Sequence, residues 1–433
     1  MTGPLPPLLS AYRIGTTLAA PFAPVWLARR ARVGKEEPDR LGERYGRPAR
    51  PRPPGGLVWA HGASIGETLA LLPVIEALVA RGTKVLVTSG TVTSSAVLAR
   101  RLPSGARHQY LPLDVPRYVR RFLAHWRPDF ALFAESEIWP NVVLDLDARG
   151  IPLVLANARM SARSAAGWAR APSVAHALTS RIALCLAQSD ADAVRLTALG
   201  APRAEVSGNL KFDSPPPPAD PAAVEQLDAS LAGRILWLAA STHPGEDASL
   251  LDIHGRMRER HPGLLTVIAP RHPERGTALD AAARTRGLSV GRRSAGGTPH
   301  EAGDIYLADT VGELGLFFRL APLVFMGGSL VPHGGQNPFE PARLGRPILH
   351  GPQVGNFAEV YDGLDRSGGA VSVPDSASLG DLAGALLADP AQLRRMGRSA
   401  LEVALSLGGA LERTLAALEP FLPPRRDPAE ALW

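Results

Sequence analysis

Residues 325–349 combine glycines with an amide and a carboxylate in a pattern that could hold a charged ligand. The pattern predicts a buried strand, a glycine-rich turn, a short helix that opens at Pro338 and a second apolar strand. Glycines let backbone N–H groups approach a ligand closely, and a helix N-terminus favours negative charge. Asn337 and Glu340 lie within one turn, which suits a phosphate and ribose hydroxyls. The segment therefore indicates a nucleotide-sugar site, although plain structural turns share this pattern.

Two carboxylates follow predicted strands in the first half of the chain. Glu67 lies three residues after Ser64, which is the spacing of a capping box, and the pattern alone favours that structural role. The alternative is a base at the floor of a cleft, ready to take a proton from a hydroxyl. Glu137, in the run Glu-Ser-Glu-Ile-Trp-Pro at 135–140, either holds a polar group of a substrate, orients a cation, or pairs with a nearby arginine.

Cationic and small residues follow other predicted strands. Only three of the 47 basic residues are lysines, and Lys211 either meets a carboxylate or phosphate or simply lies on the surface. Arg271, at a strand-to-helix corner, is suited to pair with a phosphate. Gly312 allows a close backbone approach at a similar corner, although Thr310 and Glu313 could form no more than a capping box there.

These motifs need a scaffold that places strand ends side by side. A chain of 433 residues, 45% of them hydrophobic, is long enough for two globular domains of about 200 residues each. Short apolar strands, such as 130–134, alternate with helical runs, such as 66–80, in both halves. This pattern predicts an α/β fold of two doubly wound parallel sheets with a cleft between them. Ligands bind such sheets at the carboxyl ends of the strands, where the motifs above fall.

A proline run divides the two halves. Residues 214–221 cannot continue a helix or a central strand, and such runs act as semi-rigid spacers. The predicted organisation is an apolar and basic N-terminal segment at 1–35, a first Rossmann-like domain at 36–213, the linker at 214–221, and a second Rossmann-like domain at 222–433.

The positive charge is concentrated at the N-terminus. Residues 1–50 contain nine Lys or Arg and four acids, a surplus of five out of the formal net charge of +6. The remainder is almost neutral, which excludes the broad basic face of a nucleic-acid-binding protein. Residues 5–27 are apolar but are interrupted by Arg13 and four prolines. We therefore expect an anchor at an anionic membrane surface, with the body on the cytoplasmic side; the alternative is a helix packed on its own protein.

The single cysteine and the spacing of the histidines bear on the redox compartment and on metal binding. Cys185 is the only cysteine and lies in an apolar run, so no disulfide can form within the chain and a reducing compartment is indicated. No Cys/His cluster has zinc spacing, so neither a structural metal nor a cofactor is expected.

Taken in order, seven motifs resemble those of the Kdo transferases, which attach 3-deoxy-D-manno-oct-2-ulosonic acid (Kdo) to the lipid A precursor. The likeness extends over nearly the whole chain from about Arg40 onwards. The segments that carry it are 64–67 (Ser-x-Gly-Glu), 135–140 (Glu-x-Glu-x-Trp-Pro), 208–213 (Gly-Asn-x-Lys-x-Asp), 241–243 (Ser-Thr-His), 270–275 (Pro-Arg-His-Pro-Glu-Arg), 312–314 (Gly-Glu-Leu), and 327–329 (Gly-Gly-Ser) with 337–341 (Asn-Pro-x-Glu-Pro).

The resemblance implies an inverting GT-B glycosyltransferase held at the cytoplasmic face of the inner membrane by its N-terminus. The first domain would bind the lipid A precursor, lipid IVA, and the second would bind CMP-Kdo, without a metal or cofactor. Glu67 would be the catalytic base, against the capping role, while Glu137 and Lys211 would stabilise the transition state. The residues implied to hold the CMP moiety are Pro270, Arg271, Val311, Gly312, Glu313, Asn337, Pro338, Phe339 and Glu340.

One position departs from the family pattern, because Gln336 stands where relatives commonly carry histidine. Two rival functions stay open. Another GT-B enzyme of nucleotide sugars, such as a UDP-sugar epimerase, would use the same glycine-rich corner. A membrane-associated module that binds nucleotide or lipid phosphate without chemistry would leave CMP-Kdo intact, although three acid/base candidates at one cleft argue against it.

Overall fold

The computed structural model describes residues 4–213 and 216–423 and divides them into two compact units. The first unit contains residues 4–213 together with 408–423, and the second contains residues 216–407. Each unit is built on a seven-stranded parallel sheet. The predicted pair of doubly wound α/β domains is thereby confirmed. Of the predicted linker at 214–221, Ser214 and Pro215 lie outside the described residues.

The sheet of the first unit brings the loops of Glu67 and Glu137 together. Its strands are β1 (Leu57–His61), β2 (Lys84–Ser89), β3 (Ala106–Tyr110), β4 (Phe130–Ala134), β5 (Leu153–Ala158), β6 (Leu184–Ala187) and β7 (Ala204–Val206). They are ordered β3-β2-β1-β4-β5-β6-β7. The direction of winding reverses between β1 and β4, and such a reversal opens a crevice at the carboxyl ends of the two strands. Glu67 follows β1 and Glu137 follows β4.

Helices cover both faces of this sheet. They are α1 (Pro7–Ala19), α2 (Ala23–Arg32), α3 (Leu41–Arg44), α4 (Ile65–Ala80), α5 (Val92–Arg101), α6 (Pro116–Trp126), α7 (Pro140–Asp147), α8 (Ala162–Trp168), α9 (Pro172–Thr179) and α10 (Asp190–Ala198). On one face Trp59 and Phe133 are fully buried, and on the other Val58 and Leu132 are equally buried. Strands apolar on both faces are the pattern expected of a parallel sheet.

The N-terminal segment folds as two short amphipathic helices, α1 and α2, rather than as one apolar anchor. Leu9 and Leu27 are buried against the first unit, and the hydroxyl of Tyr12 donates to Asp114 at 2.9 Å. Other apolar side chains of the same helices are half exposed or more, namely Leu8, Ile14, Leu18, Val25 and Trp26. Within the described parts of the chain, no helix has the length and hydropathy needed to cross a bilayer.

The second unit repeats the layout of the first. Its strands are β8 (Leu236–Thr242), β9 (Leu265–Pro270), β10 (Val290–Arg292), β11 (Ile305–Leu307), β12 (Val324–Met326), β13 (Ile348–His350) and β14 (Ala370–Ser372). They are ordered β10-β11-β9-β8-β12-β13-β14, so the winding reverses between β8 and β12. The helices are α11 (Pro221–Leu231), α12 (Asp247–Arg260), α13 (Gly276–Thr285), α14 (Pro299–Ala302), α15 (Leu314–Leu320), α16 (Phe339–Arg343), α17 (Ala358–Ser367), α18 (Ser376–Leu387) and α19 (Pro390–Ser406).

The last helix of the described residues, α20 (Ala410–Leu418), packs in the first unit. This placement differs from the predicted second domain at 222–433, which includes the helix. Ala410 and Leu418 are fully buried in the same cluster as Leu78 of α4. The carboxylate of Asp213 accepts the backbone N–H groups of Gly409, at 2.6 Å, and of Leu411. Apolar burial and a fixed N-terminus therefore attach this helix to the first unit.

Candidate functional site

Glu67 is held by hydrogen bonds to both of its carboxylate oxygens. Its Oε1 accepts the hydroxyl of Ser64 at 2.7 Å, and its Oε2 accepts the backbone N–H of Ala63 at 2.7 Å. The Ser64 hydroxyl also caps α4 by accepting the N–H of Glu67 at 3.4 Å. Glu67 thus has a capping role, although it reaches Ala63 rather than the N–H of Ser64. Because a hydroxyl can rotate, Oε1 can be freed to accept a proton.

A glycine makes this arrangement possible. A Cβ at Gly62 would lie 2.8 Å from the nitrogen of Thr68 and 3.0 Å from the Cβ of Glu67, which is too close for any side chain. The first turn of α4 therefore packs directly on the backbone that leaves β1. The positive end of the helix dipole then favours a carboxylate in that turn.

Glu137 is held through one oxygen only. Its Oε2 accepts the indole N–H of Trp139 at 2.8 Å and lies 3.6 Å from Nε2 of His61, the last residue of β1. No arginine pairs with Glu137 among the described residues, so the predicted alternative of an Arg–Glu pair is wrong. Sequence reasoning missed His61, and the available signal was a histidine at the end of a buried strand beside β4.

Lys211 meets a carboxylate, and its partner is Glu135 rather than Glu137. The ammonium Nζ lies 2.8 Å from Glu135 Oε1. Glu135 adopts a left-handed backbone with φ of 54°, which is costly for a residue other than glycine. On the other side, the buried amide of Asn157 accepts the N–H of Leu210 at 2.9 Å and fixes the turn that carries Lys211. Hydrogen bonds thus hold both the ammonium of Lys211 and the backbone turn that carries this residue.

The second unit has an open pocket of about 150 Å³ at the carboxyl ends of β8, β9 and β11. Its lining includes five of the residues predicted to hold CMP: Pro270, Arg271, Val311, Gly312 and Glu313. Ser241 also lines it, at a bulge of β8 where φ is 55°. Bulges and strained residues of this kind commonly re-aim a side chain at a ligand site.

The segment 337–340 does not line this pocket but lies next to it. The Asn337 side chain accepts the N–H of Phe339 at 3.1 Å, where α16 begins. Burial raises the pKa of Glu340, while a hydrogen bond from Asn337 and the positive charge of Arg271 oppose the rise. Arg271 therefore links this segment to the pocket. Pro338 and Phe339 are buried, so their side chains are not open to a ligand.

Glu313 is engaged by an arginine that sequence reasoning did not single out. The Arg293 guanidinium donates to both oxygens of Glu313, at 2.6 and 3.1 Å. This hydrogen bond lowers the pKa of Glu313, against the effect of partial burial, and Thr310 also donates to it. Because α15 begins at Leu314, Glu313 precedes the helix and the predicted capping box does not form.

Glu246 organises the glycine-rich turn after β12, and sequence reasoning did not assign it this role. This carboxylate is 1% exposed. It accepts four backbone N–H groups at 2.9 to 3.2 Å, those of His243, Gly328, Ser329 and Leu330. One buried side chain thus joins the loop after β8 to the loop after β12. Its only signal in the sequence was an acid just before a helix.

Gln336, the residue that departs from the family pattern, determines which ring nitrogen of His243 accepts a hydrogen bond. Its amide nitrogen lies 3.0 Å from Nε2 of His243, and since an amide N–H can only donate, Nε2 accepts. Burial, together with the positive potential of His333 and His272, lowers the pKa of His243 to about 4. The ring is therefore neutral at physiological pH. Among the described residues, no three His, Cys, Asp or Glu side chains are grouped as metal ligands would be.

Comparison with known proteins gives one consistent family. Residues 39–214 match the family described as 3-deoxy-D-manno-octulosonic-acid transferase. The 3-deoxy-D-manno-octulosonic acid transferase of Bordetella pertussis is 37% identical over 430 residues, covering 95% of this chain and 99% of that protein. The enzyme of the same description from Haemophilus influenzae is 34% identical, covering 88% of this chain and 91% of its own length.

Solved structures share the two-unit fold at lower identity. The UDP-GlcNAc 2-epimerase of Neisseria meningitidis has a TM-score of 0.55 at 14% identity, covering 84% of this chain and 99% of its own. A glycosyltransferase from Rickettsia africae has a TM-score of 0.55 at 10% identity, covering 85% and 99%. At these identities the likeness shows the fold alone, which is that of GT-B-like nucleotide-sugar enzymes.

Proposed function

This chain belongs to the Kdo transferase family and is a glycosyltransferase of lipopolysaccharide biosynthesis; we propose that it moves Kdo from CMP-Kdo to the lipid A precursor lipid IVA. The observation that carries the proposal is the set of charged side chains at the carboxyl end of the first sheet. Glu67 follows β1, Glu137 follows β4, and Lys211 reaches the same strand end through Glu135. These groups suit the activation of a hydroxyl better than the binding of a nucleotide alone.

In the proposed reaction, Glu67 takes the proton of an acceptor hydroxyl. The hydroxyl oxygen forms a bond to the anomeric carbon of Kdo, while the bond from that carbon to the CMP phosphate oxygen breaks. CMP leaves with the bonding electrons, and the configuration at the anomeric carbon inverts. Glu137 and Lys211 stabilise charge in the transition state.

The second unit is proposed to bind the CMP moiety. Arg271 lines the pocket and carries a charge that a departing phosphate needs, and the backbone near Gly312 can approach closely because its φ is 85°. With these groups in place we expect turnover without a divalent cation. Loss of activity after chelation, restored by adding the cation back, would contradict that expectation.

We propose further that α1 and α2 lie on the cytoplasmic surface of the inner membrane. Support comes from the exposed side chains of Leu18 and Phe22, at 69% and 70%, and from the arginines in the last turn of α2. Helix α1 is joined to the start of α7, since the Asn141 amide donates to Thr16 at 3.2 Å. Helix α7 begins just after the Glu137 loop, so a lipid acceptor in the membrane would lie near the proposed base.

The decisive experiment is mass spectrometry of the lipid product after incubation of the protein with CMP-Kdo and lipid IVA. We expect the lipid to gain the mass of one or more Kdo residues and CMP to be released. Intact CMP-Kdo would favour a binding module without chemistry. Protection of the second unit against unfolding by UDP, in place of CMP, would favour another nucleotide-sugar enzyme.

A further inference from the structure

His61 is a buried histidine whose proton positions can be assigned from its neighbours. The side chain is fully buried at the end of β1. Its Nδ1 lies 3.0 Å from the carbonyl oxygen of Thr88 and 2.9 Å from the hydroxyl of the same residue. Nδ1 can donate to the carbonyl oxygen or accept the hydroxyl hydrogen, so both neutral forms of the ring fit these contacts. Nε2 is then either a bare lone pair or an N–H group.

The surroundings of Nε2 favour the form of the ring in which Nε2 carries a hydrogen. This atom is buried without a hydrogen-bond partner in the described residues, and Glu137 Oε2 lies 3.6 Å from it. A bare lone pair would face a carboxylate there, and both groups are electron-rich. The ring of Phe133, with its centroid 4.9 Å from that of His61, keeps the contact in an apolar setting where electrostatic interactions are strong.

We propose that His61 carries a hydrogen on Nε2 and acts as the positioning residue of Glu137 in the transfer reaction. The inference rests on the role of Glu137 under the proposed function. The Nε2–H group of His61 and the indole N–H of Trp139 both face Oε2, at 3.6 and 2.8 Å. Oε1 has no hydrogen bond among the described residues, so it is the oxygen presented to the substrate.

Two substitutions of His61 test separately its contact with Thr88 and its contact with Glu137. Asparagine is short and can keep a donor toward Thr88 but leaves nothing facing Glu137; glutamine is longer and can keep a donor at the position of Nε2. We expect His61→Asn to lower kcat about 10- to 100-fold, because Glu137 loses its orientation, with little change in KM for CMP-Kdo. His61→Gln should retain most of kcat. A purely structural role predicts the reverse order, since the asparagine keeps the contact with Thr88.

A double-mutant cycle tests whether His61 acts through Glu137. In a Glu137→Gln background, His61→Asn should cause no further loss of kcat, because the charge it orients is gone. Losses that multiply would overturn the inference. If Glu137→Gln alone leaves turnover unchanged, the proposed role of Glu137 in the reaction is wrong. Losses that multiply, by contrast, overturn only the coupling of His61 to Glu137.

A spectroscopic measurement keeps the inference testable if the asparagine variant does not fold. Histidine labelled with ¹⁵N in the full chain gives separate signals for protonated and bare ring nitrogens, and the His61 signals are identified by their absence in His61→Gln. We expect Nε2 of His61 to carry a hydrogen. A bare Nε2 would overturn the proposal.

Discussion

The ammonium of Lys211 lies 2.8 Å from the carboxylate of Glu135, a residue in left-handed backbone conformation at the end of a buried strand. The Lys211 side chain is 46% exposed, so water screens the pair and it contributes at most about 1 kcal/mol to stability. A strained turn is thus used to aim a cation, with little gain in stability. This points to a role in the reaction.

Replacing Lys211 should therefore separate activity from stability. We expect Lys211→Met to lower kcat about 10²- to 10³-fold, as for loss of a group that stabilises transition-state charge, with almost no change in the midpoint of thermal unfolding. The matched control is Arg203→Met, which breaks the exposed Arg203–Glu205 pair of the same unit, 2.6 Å long, and should leave kcat unchanged. Equal effects of the two variants on kcat would contradict the assignment.

Glu67→Gln tests the proposed base. The amide oxygen can still accept the N–H of Ala63 while its NH2 donates to the Ser64 hydroxyl, but the amide cannot take up a proton, so kcat should fall about 10²- to 10⁴-fold. Binding of CMP, measured by calorimetry, should not change. Glu76→Gln, an exposed position on the same helix, is the control and should behave like the unaltered protein. Turnover of Glu67→Gln close to that of the control would refute the assignment.

Glu246→Gln should destabilise the second unit. In either orientation the amide NH2 faces two backbone N–H donors that the carboxylate now satisfies, which at about 1–3 kcal/mol for each unsatisfied group costs about 2–6 kcal/mol. Urea unfolding measures the loss, and Glu259→Gln, an exposed residue on α12, is the control. A change below 1 kcal/mol would mean that water can replace these hydrogen bonds.

The Arg293–Glu313 pair predicts a pH dependence of stability. Hydrogen bonding to Arg293 lowers the pKa of Glu313 from its ordinary value of 4.5. Because the pKa of Glu313 is lower in the folded state, the pair stabilises the protein at pH values above the ordinary pKa. This contribution is lost as the pH falls through the lowered pKa of the folded state. Glu313→Gln should therefore cost at most about 1 kcal/mol at pH 7, and its difference from wild type should shrink in acid.

Urea unfolding at a series of pH values, from neutral down to about pH 4, measures this difference. Glu225→Gln, at an exposed position on α11, provides the baseline. A difference that grows as the pH falls has the wrong sign and would rule out the pair as its source.

Charged substitutions on α1 and in the turn Ala20–Phe22 between α1 and α2 test the membrane proposal. Leu18→Glu and Phe22→Glu should each weaken binding to vesicles that contain phosphatidylglycerol about tenfold or more, because each removes a side chain worth about 1.5–3 kcal/mol when buried in lipid. Val194→Glu is the control, since Val194 is 68% exposed elsewhere in the same unit. Co-sedimentation with vesicles gives the affinities. Wild-type affinity of both variants would exclude these helices as the contact surface.

The sequence predicted elements that carry their own local signal. The strand Phe130–Ala134 is apolar throughout and was predicted with the same bounds. Helix α4 was predicted at 66–80 and found at Ile65–Ala80, since a cap and a long apolar run define it. The strands β10 (Val-Gly-Arg) and β14 (Ala-Val-Ser) are not predicted, because neither is a continuous run of large apolar residues.

The contacts of the site could not be predicted in the same way. The pairing of Glu137 with His61 joins the loop after β4 to the last residue of β1, and the register of these two strands follows from packing of the whole sheet. Glu246 reaches Gly328 across 82 positions of sequence, and no local pattern encodes that distance. The sequence therefore indicated which residues could do chemistry, but their partners depend on the tertiary structure.

The burial of α20 in the first unit has a consequence for synthesis on the ribosome. The contact of Arg81 with Glu419 spans 338 positions, so the first unit cannot complete its interior until the residues of α20 have been made, after the whole second unit. The second unit is one uninterrupted stretch and can reach its native state earlier. In chains that stop at residue 407, the second unit should therefore resist protease while the first unit is still cleaved. The order of folding would then be opposite to the order of translation.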